Sequence, residues 1–514
     1  MMSKHGELPE LAAAVLQPGF VGTSAPDWVR RWLGAGLGGV ALFARNVESP
    51  DQVAALTAQL RAERPDVIVA IDEEAGDVTR FESRLGSSRP GNLALGAIDD
   101  PELTEAVARD LGRDLAAAGI TLDYAPDADV NNNPDNPVIG VRAFGAEPLL
   151  VARHTAAFTR GIQAYGVAAC AKHFPGHGDT AVDSHHDVPL ITQSLAELAA
   201  IELIPFQAAI AAGTRVVMTG HLLVPAYDDA LPATLSPKIL TGLLREQLGF
   251  DGLIVTDGIE MQGVRRRFGL EGATVRALAA GVDAICVGGD HADEETAIRL
   301  RDAIVAAVRS GELAEERLRD AVARVRALAD WTTRTQREAG VVPGAQPASA
   351  LGSDIGFAAA RRAVRVTRAA GAPDLPIAGV PHVVEFAPER NIAIGSETPW
   401  GIGAPLAGLL PGTTSVRFGA DDLAALSDPA GTLLAAAAGR PLVLVVRDVH
   451  RHRWIADTLD RMIEARPDAI VVEMGIPIKV VGGVHVATFG ATRACGQAAA
   501  ELIAGADVPE PVAA

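Results

Sequence analysis

From the start to about residue 330 the chain alternates short apolar runs with longer Ala- and Leu-rich stretches. The runs expected as strands are Phe20–Gly22, Val40–Phe43, Val67–Asp72, Thr121–Tyr124, Val167–Lys172, Val216–Thr219, Leu253–Thr256 and Ala284–Val287. Segments 103–118, 149–165, 194–212 and 294–309 carry helical spacing between them. The strands read as apolar on both faces, which is the pattern of parallel strands covered by helices. Eight such βα units in one stretch predict a (β/α)8 TIM-like barrel in preference to an open doubly wound sheet.

Near residues 334–356 the periodicity fades and Pro, Gly, Ser and Ala accumulate, which predicts a linker. Strands then return at Val383–Phe386, Ser415–Phe418, Leu442–Val446, Ala469–Glu473 and His485–Phe489. The expected organisation is a barrel over 1–332, a linker over 333–352 and a smaller open α/β (αβα sandwich) domain over 353–514. GAGLGG at 34–39 resembles a dinucleotide fingerprint but precedes a strand instead of following one, so it reads as a turn.

Composition narrows the function. The 45 basic and 64 acidic residues give a formal charge of −19, which argues against a nucleic-acid partner. Three cysteines, Cys170, Cys286 and Cys495, lie too far apart for a disulfide framework or a Cys-based zinc motif. Aromatics at 4% argue against a long stacking platform for sugars. The apolar run in MMSKHGELPELAAAVLQPGF is too short for a secretory core, and no stretch reaches the length of a membrane span. The expectation is a cytoplasmic protein with no membrane partner.

Polar residues stand where each barrel strand should end: Asn46, then Asp72, Glu73 and Glu74, then Asp127 and Asp129, Lys172 and His173, His221, Asp257 and Asp290. Any one of them suits a helix N-cap. So many in register, with Lys and His among them, predict a catalytic face at the C-terminal ends of the strands. The richest segment is KHFPGHGDTAVDSHHDVP at 172–189, whose Pro175, Gly176 and Gly178 exclude a regular helix. Within it Asp183 precedes His185 by two residues, so the carboxylate can orient the imidazole for proton transfer near neutral pH. A His/Asp metal site is the other reading of this loop, although it lacks helical H-x-x-x-H spacing and a nearby Cys. Asp257 closes the run GLIVT and should be exposed at its strand tip. If it faces the Asp183–His185 loop, an acid and a nucleophile flank a scissile bond, the arrangement of a retaining glycosidase with imidazole as the acid.

With these segments in place, the chain resembles the family 3 glycoside hydrolases, in their β-N-acetylglucosaminidase branch. The resemblance rests on GLGGVALFARN, AIDEEAGDVTRF, NPVIGVRAFG, AKHFPGHGDTAVDSHHDVP, MTGHLLVP and IVTDGIEMQGV, spread over about residues 15–330. It implies Asp257 as the nucleophile of a covalent glycosyl-enzyme intermediate, His185 as the general acid/base and Asp183 as its partner. It further implies that Lys172, His173 and Asp72 hydrogen-bond sugar hydroxyls, and that Arg142 and Arg80 belong to the binding site. No metal or other cofactor is implied. The chain departs from the family at Ala75-Gly76, where two glycines are usual, at Asp77, commonly arginine, and at Asp257-Gly258, usually Asp-Asp. The activity implied is removal of terminal β-linked N-acetylglucosamine from glycans, or from cell-wall or chitin fragments being recycled. Three other readings remain: a phosphorylase that uses phosphate in place of water, a metal-dependent hydrolase such as a deacetylase, and a non-catalytic sugar-binding barrel. The first follows because a histidine base does not repel a phosphate dianion.

Overall fold

The computed structural model describes residues 4–180, 188–289, 291–344, 352–389, 393–395 and 398–506. The chain divides into two compact units. The first comprises Met1–Glu74, Asp100–Ile139 and Ala143–Leu351, and the second Ala75–Asp99, Gly140–Arg142 and Gly352–Ala514.

The first unit holds β1 (Leu16–Pro18), β2 (Gly39–Leu42), β3 (Ile68–Ile71), β4 (Leu122–Asp123), β5 (Ala168–Phe174), β6 (Val216–Thr219), β7 (Leu253–Thr256) and β8 (Ile285–Val287). Strands β2 to β7 form one parallel sheet in chain order. A parallel bridge from Val255 to Ala284 carries the pairing on to β8, which pairs in parallel with β1. β1 in turn packs beside β2. The result is a parallel α/β unit whose eight-strand order agrees with the expected barrel. Its interior is filled by Ala41, Ala70, Leu122, Tyr124, Cys170, Met218, Val255 and Cys286, all buried.

Local chemistry sets the elements. Ser49, Asp100 and Glu147 each precede a proline that opens a helix, and each accepts an N–H of the first turn. The first strand lies at Leu16–Pro18 and not at the expected Phe20–Gly22. Gln17 and Pro18, at the end of the N-terminal apolar run, are strand residues. Gln17 turns inward and its Oε1 accepts the Tyr124 hydroxyl at 2.6 Å. The Phe20 carbonyl instead accepts from the side chains of Arg45 and Asn46. Asn46 is thereby a buried staple of this turn, also donating to the Gly22 carbonyl.

The second unit is a six-stranded sheet in the order β11-β10-β12-β13-β14-β9. Its strands are β9 (Arg365–Arg368), β10 (His382–Phe386), β11 (Thr414–Phe418), β12 (Leu442–Val446), β13 (Ile470–Glu473) and β14 (Val484–Ala487). All pairs are parallel except β14 with β9. Apolar side chains cover both faces, Val443, Val445 and Val472 on one and Leu442, Leu444 and Val471 on the other. β9 is exposed along its length and has no apolar run to announce it. The helix Glu315–Glu338 extends past residue 333, where the linker was expected to start. Asp77, the position commonly held by arginine in the resembled family, ion-pairs with Arg447 at 2.5 Å and accepts the Ala491 N–H. Both partners lie in the same unit.

Candidate active site

The site is built on β5. After Cys170 and Ala171 pair with β6, the register shifts before Phe174, so Lys172 and His173 occupy an irregular end of the strand. Lys172 is almost fully buried, with Nζ 2.5 Å from Asp72 Oδ1 and 2.6 Å from Glu74 Oε1. Two carboxylates from the end of β3 therefore neutralise one ammonium from β5. Below them Asp123 closes β4 and accepts the Glu73 N–H at 2.9 Å. Burial drives its carboxyl well above the usual carboxylate range, and neighbouring Glu73 and Asp72 push the same way against Lys172. Asp123 thus sits beneath the ion cluster with its ionised form disfavoured by burial.

His173 is oriented by Asp129, whose Oδ2 lies 2.8 Å from Nδ1. The other Asp129 oxygen accepts the backbone N–H groups of His173 and His177 at 3.1 and 2.7 Å. Burial acts to raise Asp129, but the two histidines and these donors outweigh it and hold the carboxyl below its ordinary value. With Nδ1 committed to Asp129, His173 presents Nε2 as its remaining polar atom. Asp127, Asp129 and His173 offer ligand atoms within 4.8 Å of one another, a spacing compatible with a metal ion. Within the group His173 pairs with Asp129, and Asp127 Oδ1 accepts the Asp129 N–H at 3.0 Å.

The loop after β5 follows from its glycines. A Cβ on Gly178 would lie 1.7 Å from the Val130 carbonyl oxygen, so only glycine admits this approach of the two chains. Gly176, at φ +129, leaves the space into which the Glu202 carboxyl fits. Glu202 is fully buried, and its Oε1 accepts from Gln193 Nε2 at 3.3 Å, a nitrogen that also donates to Asp179. Burial, with Asp129 and Asp179 nearby, pushes the Glu202 carboxyl up to about 8. The folded protein therefore holds Glu202 protonated while the unfolded chain ionises it from about 4.5 upward. Stability attributable to this group falls as pH rises from about 4.5 to about 8 and is then constant. Glu202→Gln, which cannot ionise, is expected to gain about 4 kcal/mol relative to wild type between pH 5 and pH 8.5. Urea unfolding of both proteins at the two pH values measures this, and a constant difference would contradict it.

Asp257 follows β7. Its N–H donates to the Thr219 carbonyl at 3.2 Å, and one carboxylate oxygen accepts the Gly258 N–H at 2.7 Å. The buried Cys286 thiol, in the strand interior, is raised first by burial and then by Glu260, Asp257 and Asp72. Asp72 directly follows β3 and Asp257 directly follows β7, so the parallel sheet puts both at its carboxyl-terminal end.

Asp72, Lys172, His173 and Asp257 thus gather in the first unit, each at a strand end. Arg80 and Arg142 are buried and belong to segments of the second unit. Asp183 and His185 fall in 181–187, and Asp290 stands alone; all of these lie outside the described residues. Three side chains with site roles were left unassigned by sequence reasoning. Glu74 was noticed only as one of an acidic run. Asp123 was an acid inside the run TLDY. Glu202 falls four residues after Leu198 and four before Phe206, on the apolar stripe of a helical segment, and an acid on such a stripe is the signal that would have found it.

Parallel strands that gather a cation, a histidine and several carboxylates at their carboxyl ends define an α/β enzyme. Residues 23–328 match the family description "Glycosyl hydrolase family 3 N terminal domain". The chain belongs to glycoside hydrolase family 3. It is 38% identical over 277 residues to the beta-hexosaminidase of Stenotrophomonas maltophilia (strain R551-3), covering 52% of this chain and 82% of that protein. It is 34% identical over 313 residues to beta-hexosaminidase A of Pseudoalteromonas piscicida, where the match spans 56% of this chain and about half, 52%, of the relative. Among solved structures it is similar to a glycoside hydrolase family 3 beta-N-acetylglucosaminidase from Paenibacillus sp. str. FPU-7. That similarity has 33% identity and a TM-score of 0.85, over 97% of this chain and 96% of the other.

Proposed function

We propose that the chain is a retaining exo-β-N-acetylglucosaminidase that removes terminal N-acetylglucosamine from glycans or from cell-wall and chitin fragments. The observation that carries this reading is the gathering of Asp257, Asp72, Lys172 and His173 at one end of the parallel strands, in a chain similar to proteins named for that activity. In this reading the first unit is a (β/α)8 barrel and the chain from about residue 353 is a separate α/β domain. Asp257 attacks the anomeric carbon and His185, oriented by Asp183, protonates the leaving oxygen. His185 then deprotonates the water that releases the sugar with its configuration retained. Asp72 and Lys172 act as a hydrogen-bonding pair toward sugar hydroxyls, His173 adds its Nε2, and Arg80 and Arg142 contact the sugar or its acetamido group. Cytoplasmic recycling of such fragments is the proposed setting, and no membrane segment is invoked, since no described helix is long and apolar enough to cross a membrane.

Turnover of p-nitrophenyl N-acetyl-β-glucosaminide with and without phosphate, with the sugar product identified, tests this assignment. Free N-acetylglucosamine in both conditions supports the hydrolase. A sugar 1-phosphate would make the enzyme a phosphorylase using the same nucleophile, and no turnover of the glycoside would remove the assignment. Full activity after exhaustive chelation is expected, and loss of activity that returned with a divalent metal would favour the metal-dependent alternative.

A further inference from the structure

His221 follows β6 and is completely buried, yet both of its ring nitrogens are engaged. Nε2 lies 2.9 Å from the Gly258 carbonyl oxygen, and Nδ1 lies 2.8 Å from Thr234 Oγ1. A carbonyl oxygen only accepts, so Nε2 carries a proton in this contact. The Thr234 hydroxyl is itself held, 2.9 Å from Thr219 Oγ1 and 3.0 Å from the Gly220 carbonyl. The ring therefore has one orientation, set from β6, and spends its donor on the segment that follows β7.

That segment carries Asp257. Gly258 is gripped at both polar groups: its N–H donates to Asp257 Oδ1 at 2.7 Å, and its carbonyl accepts from His221. Glycine lacks the Cβ that restricts other residues, so the peptide after Asp257 is intrinsically the freest of any at this strand tip. Asp257 N–H donates to the Thr219 carbonyl, and Gly220 N–H donates to the Phe174 carbonyl, so the tips of β5, β6 and β7 are tied in sequence. A Cβ on Gly220 would lie 3.3 Å from His173 Cβ, which places the same turn beside the sugar-facing histidine.

We propose that His221 is a positioning residue for the nucleophile: by holding the Gly258 carbonyl from the neighbouring strand, it fixes the angle at which the Asp257 carboxylate meets the anomeric carbon. The inference rests on the assignment of Asp257 as nucleophile. His221 gives up no proton to the reaction, and its role is geometric.

The test uses the full chain with two glycosides, p-nitrophenyl and 2,4-dinitrophenyl N-acetyl-β-glucosaminide, the second having the better leaving group. His221→Ala is expected to lower kcat about 100-fold with KM within about threefold, since a misplacement near 1 Å has that cost. The loss should be equal for both glycosides, because a defect in nucleophilic attack is not repaired by a better leaving group. The rate at which a 2-deoxy-2-fluoro glycoside labels Asp257 should fall by the same factor. His221→Gln places an amide nitrogen near Nε2 and should recover at least tenfold over His221→Ala, while His221→Asn, whose nitrogen falls near Nδ1, should not. This comparison stands even if His221→Ala fails to fold. Wild-type labelling by a folded His221→Ala, equal activity of the Gln and Asn variants, or a loss confined to p-nitrophenyl would each overturn the proposal. Asp257→Ala is run beside them. An active Asp257→Ala sinks the nucleophile assignment itself, whereas an inactive one beside a normal His221→Ala sinks only the positioning role.

Discussion

Asp257→Ala is expected to lower kcat/KM on p-nitrophenyl N-acetyl-β-glucosaminide by about 10⁴-fold or more, the usual consequence of deleting a covalent nucleophile. The fold should survive, because Asp257 is only partly buried and stands at a strand tip, and its backbone contact with Thr219 does not depend on the carboxylate. Truncation leaves the Thr219 contact and the His221–Gly258 bond in place, so the vacated volume keeps its shape. A small anion can occupy that volume. Azide added to the variant should restore turnover of the dinitrophenyl glycoside and yield the α-glycosyl azide, formed by attack from the face that the carboxylate used. Wild-type rates without azide would refute the assignment. A β-azide would mean that the anion enters from the opposite face, and that Asp257 sits on the wrong side of the sugar to be the nucleophile.

Much of this site was legible in the chain before its coordinates. Parallel strands buried on both faces leave an unambiguous mark, since the apolar run stops where the strand ends and the first polar residue stands at the tip. Val216–Thr219 and Leu253–Thr256 were placed to the residue for that reason, and with them His221 and Asp257. In the second unit Leu442–Val446 was placed equally well. The misses have a common cause: a polar residue whose partner lies far along the chain. Gln17 breaks its run until Tyr124, 107 residues away, is brought to donate to it inside the strand bundle. Glu202 looks like one more helix-surface acid until Gly176 and Gln193 are brought against it. β9 carries no apolar pattern because it is an exposed edge strand, paired on one side only. Lys172, His173 and Asp72 stand out in the sequence, but the second carboxylate on Lys172 does not. Glu74 completes the ion cluster through the register of β3 against β4 and of β4 against β5, which no local window contains.

Lys172→Met carries the second large effect, and it separates binding from folding. Methionine fills nearly the same volume but removes the ammonium that Asp72 and Glu74 approach at 2.5 and 2.6 Å. With Glu74 deeply buried, its carboxylate is left uncompensated above Asp123, whose own burial disfavours its ionised form. Breaking a buried pair from one side has a cost of about 3–5 kcal/mol, considerably more than the net value of the pair, because the remaining charge stays desolvated. A fall of this size in urea stability is expected, together with a loss of about 10²–10³ in kcat/KM from the missing contacts to sugar hydroxyls. The second substitution Glu74→Gln removes the stranded charge. Lys172→Met/Glu74→Gln should therefore recover most of the lost stability, with a coupling well beyond the few tenths of a kcal/mol of independent sites. Activity should not return with it under the proposed role of Lys172 as a donor to the sugar. If the double variant regained both stability and turnover, Lys172 would be a structural counter-ion and the sugar contacts would have to come from His173 and Asp72 alone. If it regained neither, the ion pair with Asp72 would dominate the cluster, and Lys172→Met/Asp72→Asn would become the pair whose stability recovers.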